Sequence, residues 1–250
     1  KKGMIKYVDI VEPHIAAVKK FVNLRLLRSA GLNVLVDSMN GTGDHYIESI
    51  LKGSNNKVTT VNGSRDAYFG GRSPEPNEVH MKSTSDFVKK GDYDVCVVTD
   101  GDADRLGVVL DNGQILSGHK VMTLLLLHLL IGRGLRGGVI QTICGTALID
   151  KISAKYGLKT YETPVGFKYI ADIFIKEDIL IGGEETGGVA FKGWLPERDG
   201  ILSALLILEM IAHMKKSLRQ IVNDINSEYG EYVYKRLDLK LSLDKKKKLL

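Results

Sequence analysis

Apolar residues between positions 8 and 30 recur at the three- and four-residue spacing of a helix face, and Gly31 follows where helices favour a residue that tolerates the left-handed conformation. Residues 32–37 are a short, mainly apolar run of strand length. A glycine-bearing turn, Ser38-Met39-Asn40-Gly41-Thr42-Gly43-Asp44, leads to a helix over 45–51, and 57–61 reads as a second strand. The turn fits neither the Walker pattern nor the full dinucleotide fingerprint and is taken as structural. The polar, proline-bearing stretch 62–77 is too long for an ordinary connection and is expected on the surface. A helix near 78–90 then precedes a strand over 93–99, with another strand at 106–110.

The same order returns in the second half: a helix at 120–131, a strand at 138–143, a helix at 147–156, a strand near 158–161, a helix around 167–175 and a strand at 178–181. Each half carries an acidic, glycine-bearing loop after a buried strand, at residues 100–105 and 182–188. Alternating strands and helices predict an α/β protein of two similar three-layer domains, each a mostly parallel mixed sheet flanked by helices. The expected boundaries are 1–116 and 117–230, with 231–250 a linker or the start of another domain. Ligands of such sheets gather at the carboxyl ends of strands, so both loops can line one cleft if the halves face each other.

Composition narrows the partners rather than the fold. The 250 residues carry a formal charge of +5, but Lys245 to Lys248 supply four of those charges. Without that run the chain is nearly neutral, so no nucleic-acid footprint is implied, and the lysines read as a solvated tail or linker. Cys96 and Cys144 lie in apolar, strand-like runs without pairing or ligand spacing, and both are expected in the core of a cytoplasmic protein. The longest apolar run, 121–131, falls short of the ~20 residues of a membrane span and reads as a buried helix. The start of the chain has no secretory pattern, and the lack of a methionine at position 1 suggests a longer natural chain.

The most informative junction is the strand at 93–99 followed by Asp100-Gly101-Asp102-Ala103-Asp104-Arg105. Carboxylates at i, i+2 and i+4 scatter around a helix but share a direction on extended or curved backbone. Three such groups repel one another unless a cation sits among them, and clustered hard oxygens suit magnesium or calcium. Arg105 adds a guanidinium fork matched to phosphate. A calcium EF-hand would place Asp100, Asp102, Asp104 and Asp111 at its positions 1, 3, 5 and 12, but Arg105 stands where its glycine belongs and the flanks read as strands. An aspartyl-phosphate phosphatase would use Asp100 and Asp102 and leave Asp104 and Arg105 without roles.

In the second acidic loop, Glu184 can accept and Thr186 donate or accept hydrogen bonds to sugar hydroxyls, whereas a plain turn would need only the glycines. Lys168 follows a turn at a strand end, where an anion contact competes with an ordinary solvated lysine. None of the histidines has metal or triad spacing.

Together, Thr99-Asp100-Gly101-Asp102-Ala103-Asp104-Arg105, Thr163-Pro164-Val165-Gly166-Phe167-Lys168 and Gly183-Glu184-Glu185-Thr186-Gly187 resemble the α-D-phosphohexomutase family of phosphoglucomutases and phosphomannomutases. Gly70-Gly71-Arg72-Ser73-Pro74-Glu75-Pro76-Asn77 and Arg198-Asp199-Gly200-Ile201 support the likeness, which covers nearly the whole chain. Family members have four domains, and the chain resembles the second and third. The phosphoserine motif of the first domain and the phosphate-binding motif of the fourth do not occur in these 250 residues. The resemblance therefore implies a central part of a mutase, inactive alone, whose partners are a hexose phosphate and the first and fourth domains of the same protein. It implies Mg²⁺ on Asp100, Asp102 and Asp104 in the first domain of the chain, and a hexose bisphosphate as activator and intermediate. Arg105 would steady the phosphoserine, Lys168 would lie near the transferring group, and Glu184 and Thr186 would grip the sugar. Thr186 departs from the commoner serine, and glucose is favoured over mannose by likeness of the loop alone.

Overall fold

The computed structural model describes residues 3–235 and Ser242; the lysine run at 245–248 and most of the expected segment 231–250 lie outside the described residues. Two mixed sheets organise the rest. The first comprises β1 (Asn33–Asp37), β2 (Lys57–Val61), β3 (Val95–Thr99), β4 (Leu106–Leu110) and β5 (Ile115–Leu116) in the order β2-β1-β3-β4-β5. β1 pairs in parallel with β2 and β3, whereas β3–β4 and β4–β5 are antiparallel. The second contains β6 (Gly138–Thr142), β7 (Thr160–Thr163), β8 (Ile179–Gly183) and β9 (Val189–Phe191) in the order β7-β6-β8-β9. It repeats the plan, with two parallel pairings around β6 and an antiparallel β8–β9 pair.

β3 and β4 are buried along their whole length, which is why they read as continuous apolar runs rather than as alternating ones. Side chains of successive strand residues leave by opposite faces. Val34, Val36, Val95 and Val97 accordingly join one apolar cluster, while Leu35, Cys96 and Val98 join another with Met81 and Val88. The helices of the first half are α1 (Val11–Phe21), α2 (Leu24–Arg28), α3 (Tyr46–Leu51) and α4 (Lys82–Val88), of which α3 lies against β2 and α4 against β4. The second half contributes α5 (Gly118–Leu127), α6 (Ala147–Lys155), α7 (Phe167–Lys176), α8 (Gly200–Met214) and α9 (Leu218–Tyr229).

α5 touches β4 and β8, and α8 packs on β3 and β4 although it follows the second sheet in sequence. The largest cluster consequently runs from Val97 and Val108 through Leu124 and Leu205 to Leu180 and Phe191. Helix α8 is buried from Gly200 to Ile211, so it has no polar stripe to betray its period; α8, α9 and β9 lie beyond the elements that the sequence pattern predicts. No described helix is long and apolar enough to cross a membrane.

Three expectations are corrected. The helix expected over 8–30 divides at Asn23, whose side chain accepts a 3.1 Å bond from the Leu26 N–H and caps α2. The helix expected at 120–131 begins at Gly118, with Ser117 as its cap, and relaxes into a π-helical turn, His128–Gly132. Cys96 is buried, but Cys144 is exposed because β6 ends at Thr142 and the apolar pattern runs past it into a turn.

Candidate functional site

The first acidic loop reverses the chain between antiparallel β3 and β4. Ala103 takes a φ of 61°, uncommon for a residue with a side chain, and the bend brings one oxygen each of Asp100, Asp102 and Asp104 to within 4.8 Å of one another. The surrounding backbone fixes this bend. The Gly101 N–H donates to the Pro74 carbonyl at 3.1 Å, the Thr42 N–H to the Gly101 carbonyl at 2.9 Å, and the Gly200 N–H to the Ala103 carbonyl at 2.9 Å. Within the loop, the Arg105 N–H donates to Asp100 Oδ1 at 3.0 Å.

Burial raises the Asp100 carboxyl to about 7, against the pull of the Arg105 N–H, and the neighbouring Asp104 and Asp102 charges push in the same direction as burial. Asp104 is also raised, first by burial, although Arg198 lies beside it. Arg105 Nε stands 3.7 Å from both Asp100 Oδ2 and Asp104 Oδ1, too far for direct hydrogen bonds.

The second acidic loop closes the β8–β9 hairpin through bonds between Glu184 and Gly188 and between Gly187 and Glu184. It abuts the first loop directly. Arg105 and Gly188 form an antiparallel bridge, and the Leu106 N–H donates to the Gly187 carbonyl at 3.0 Å. Glu184 is buried and accepts from the Gly166 N–H at 3.2 Å, at the start of α7. Burial raises its carboxyl in spite of Arg198.

Arg198 joins the two loops. Its guanidinium lies 2.8 Å from Asp104 Oδ2 and 3.6 Å from Glu184 Oε2, and stacks 5.0 Å from the Phe167 ring centroid. The sequence drew attention to the stretch containing Arg198 but not to this role, because its acidic partners lie on other loops and leave no local spacing to read. Asp199 beside it caps α8 through the Leu202 N–H at 2.8 Å and pairs with His14 of α1 at 2.8 Å.

Asp100, Asp102, Asp104, Arg105 and Glu184 thus occupy one region. Thr186 is half-buried in the same hairpin. Lys168 is exposed in the first turn of α7, with its amine 4.9 Å from the Tyr169 ring centroid. Asp104 Oδ1, Arg105 Nε and Thr186 Oγ1 are buried without hydrogen-bond partners. Unsatisfied polar atoms of this kind call for a ligand or solvent. An all-carboxylate donor set with one orphaned oxygen fits a hard divalent cation.

Sequence models of the phosphoglucomutase/phosphomannomutase alpha/beta/alpha domains II and III match residues 12–113 and 117–229. The chain belongs to the phosphoglucomutase/phosphomannomutase family. It is 33% identical over 228 residues to a phosphoglucomutase/phosphomannomutase of Thermococcus kodakarensis, covering 91% of this chain and 50% of that protein. A phosphoglucosamine mutase of Methanococcus maripaludis is 31% identical, with 84% of this chain and 48% of the relative covered. Among solved structures, a protein assigned as a phosphomannomutase from Thermus thermophilus superposes with a TM-score of 0.86 at 35% identity, over 91% of this chain and 53% of that one. The chain spans about half the length of these relatives.

Proposed function

We propose that this chain supplies the metal-binding and sugar-binding parts of a phosphohexomutase that interconverts hexose 1-phosphate and hexose 6-phosphate through a bisphosphate intermediate, with glucose as the favoured sugar. The observation that carries the reading is the contact between the two acidic loops, by the Arg105–Gly188 bridge and by Arg198 between Asp104 and Glu184. A metal site and a sugar site built independently would have no need of a shared arginine.

Asp100, Asp102 and Asp104 would hold Mg²⁺, which would offset the negative charge that develops as a phosphoryl group transfers. The chain's own groups divide the remaining tasks. Arg105, with an unpaired Nε beside the carboxylates, can donate to the phosphate of the nucleophile that the family reading places outside these 250 residues. Lys168, an exposed cation in the first turn of α7, would contact the transferring group.

Glu184 is a buried acceptor, and Thr186 has a free hydroxyl in the same hairpin. Together they can take neighbouring sugar hydroxyls without reading position 2, so mannose phosphate is the alternative substrate. Arg198 offsets part of the charge of Glu184 and Asp104 and links their loops.

In the longer gene product, Glu184→Ala should lower kcat/KM for glucose 1-phosphate by an amount corresponding to about 2–4 kcal/mol, the loss of charged hydrogen bonds in a buried site. Metal binding should be retained. An unchanged kcat/KM would remove the sugar role, and a wild-type preference for mannose 1-phosphate or glucosamine 1-phosphate would replace glucose as the substrate.

A further inference from the structure

Asp37 ends β1, the strand beside β3, and is fully buried. Its carboxylate accepts from Arg72 Nη2 at 2.9 and 3.1 Å, from Asn62 Nδ2 at 2.9 Å, from the Met39 N–H at 2.9 Å and from the Thr84 hydroxyl. A buried ion pair adds little net stability over an apolar filling of the same volume, so stability alone does not account for it.

Its effect is clearer from what Arg72 carries. The residue lies near the end of the 62–77 stretch, which contains four left-handed conformations, at Asn62 (φ 50°), Phe69 (φ 52°), Gly70 (φ 67°) and Gly71 (φ 77°). Such conformations persist at residues with side chains only where the surroundings over-determine them. Asp66 supplies part of that restraint by accepting from the Tyr68 and Gly70 N–H groups at 3.0 and 2.9 Å, and Asn40 Nδ2 donates to the Ser64 carbonyl at 2.9 Å. Arg72 is the residue of this stretch whose side chain forms an ion pair at the base of the sheet.

Two residues later, the Pro74 carbonyl accepts the Gly101 N–H, between the first two carboxylates of the metal loop. Phe69 and Pro74 also crowd Gly101: a Cβ built there would lie 3.0 Å from atoms of both rings. The Gly101 carbonyl is held from the other side by the Thr42 N–H.

We infer that Asp37 and Arg72 are positioning residues for the metal loop. The ion pair ties the 62–77 stretch to the sheet, and that stretch sets the backbone from which Asp100 and Asp102 project. Neither residue is among the proposed ligands, and the inference rests on the reading of residues 100–104 as a metal loop. An outer partner of this kind governs affinity by fixing the ligands before the ion arrives.

The test compares the complete 250-residue chain with Arg72→Met, Arg72→Lys and the double variant Asp37→Asn/Arg72→Met. The double variant leaves no unpaired buried charge and so protects against simple failure to fold. Two quantities are read: amide hydrogen exchange at Gly101 relative to Val97 in β3, and the Mg²⁺ dissociation constant by calorimetry. In the double variant, Gly101 exchange should rise about tenfold or more over that of Val97, since only the local opening is eased. The Mg²⁺ dissociation constant should rise about 10- to 100-fold, as for other partners that orient ligands. Arg72→Lys should recover part of both effects. A folded double variant with Gly101 exchange unchanged, or raised only in step with Val97, would overturn the inference. If the wild-type chain bound no Mg²⁺, the metal reading would fall, while Gly101 exchange would still decide whether the ion pair positions the loop.

Discussion

Glu209 on α8 allows the energetics of the shared core to be measured. It is 3% exposed, and its carboxylate accepts from Arg133 Nε at 2.8 Å, Arg133 Nη2 at 2.6 Å and the Asn23 N–H at 2.7 Å, with His128 Nε2 at 3.0 Å. Burial alone would raise this carboxyl, but the hydrogen bonds from His128, Arg133 and Asn23 outweigh it and bring the value from 4.5 to about 2. That difference corresponds to about 3 kcal/mol of stability at neutral pH, the same order as the cost of breaking a buried ion pair. Because the folded value is the lower one, the contribution is complete above the unfolded value of 4.5 and is lost as pH falls toward 2. Linkage leaves about 1.5 kcal/mol at pH 3. Glu209→Gln keeps the shape and removes the charge, so urea unfolding followed by circular dichroism should show a gap from wild type of about 3 kcal/mol at pH 7 and about half that at pH 3. A gap independent of pH, or below about 1 kcal/mol at pH 7, would refute this reasoning.

Asp100→Asn should act in opposite directions with and without metal. Since burial raises the Asp100 carboxyl, its ionised form weakens the metal-free fold increasingly as pH rises from 3.8 to about 7. The amide should therefore stabilise the metal-free chain at pH 8 by about 1–2 kcal/mol and abolish stabilisation by Mg²⁺, both read by thermal unfolding with and without the ion. Gly118→Ala should loosen the second acidic loop, because a Cβ there would meet the Glu185 carbonyl and lie 2.7 Å from the Gly187 nitrogen. A loss of about 2 kcal/mol in urea unfolding, with faster amide exchange across 184–188, is expected.

The parts of the fold legible in the sequence were those with local causes. The strand at 57–61 was placed from its pattern, and the convergence of the three aspartates follows from their i, i+2, i+4 spacing, which has meaning only on extended backbone. The apolar periodicity over 8–30 hides the division at Asn23, where the side chain caps α2 by accepting from the Leu26 N–H and the backbone N–H donates to Glu209, far away in sequence. Helix α8 gave no periodic signal since all its faces are covered, one side by a sheet formed earlier in the chain. At the site, the acidic groups could be named from sequence, but Arg198 gained its role only when folding brought Asp104 and Glu184 to either side of it. Cys144 shows the converse error, an apolar run that outlasts its strand.

The central claim is that the two acidic loops form one site for a hexose phosphate in a mutase. It is tested most directly by assaying the gene product that contains this chain with its flanking segments, on glucose 1-phosphate with Mg²⁺ and glucose 1,6-bisphosphate, beside Asp102→Ala and beside residues 1–250 alone. The account predicts glucose 6-phosphate from the longer protein, a loss of about a thousandfold or more in Asp102→Ala, and no turnover by the 250 residues alone. Undiminished turnover in Asp102→Ala, or a longer protein inert toward glucose, mannose and glucosamine 1-phosphates alike, would contradict it.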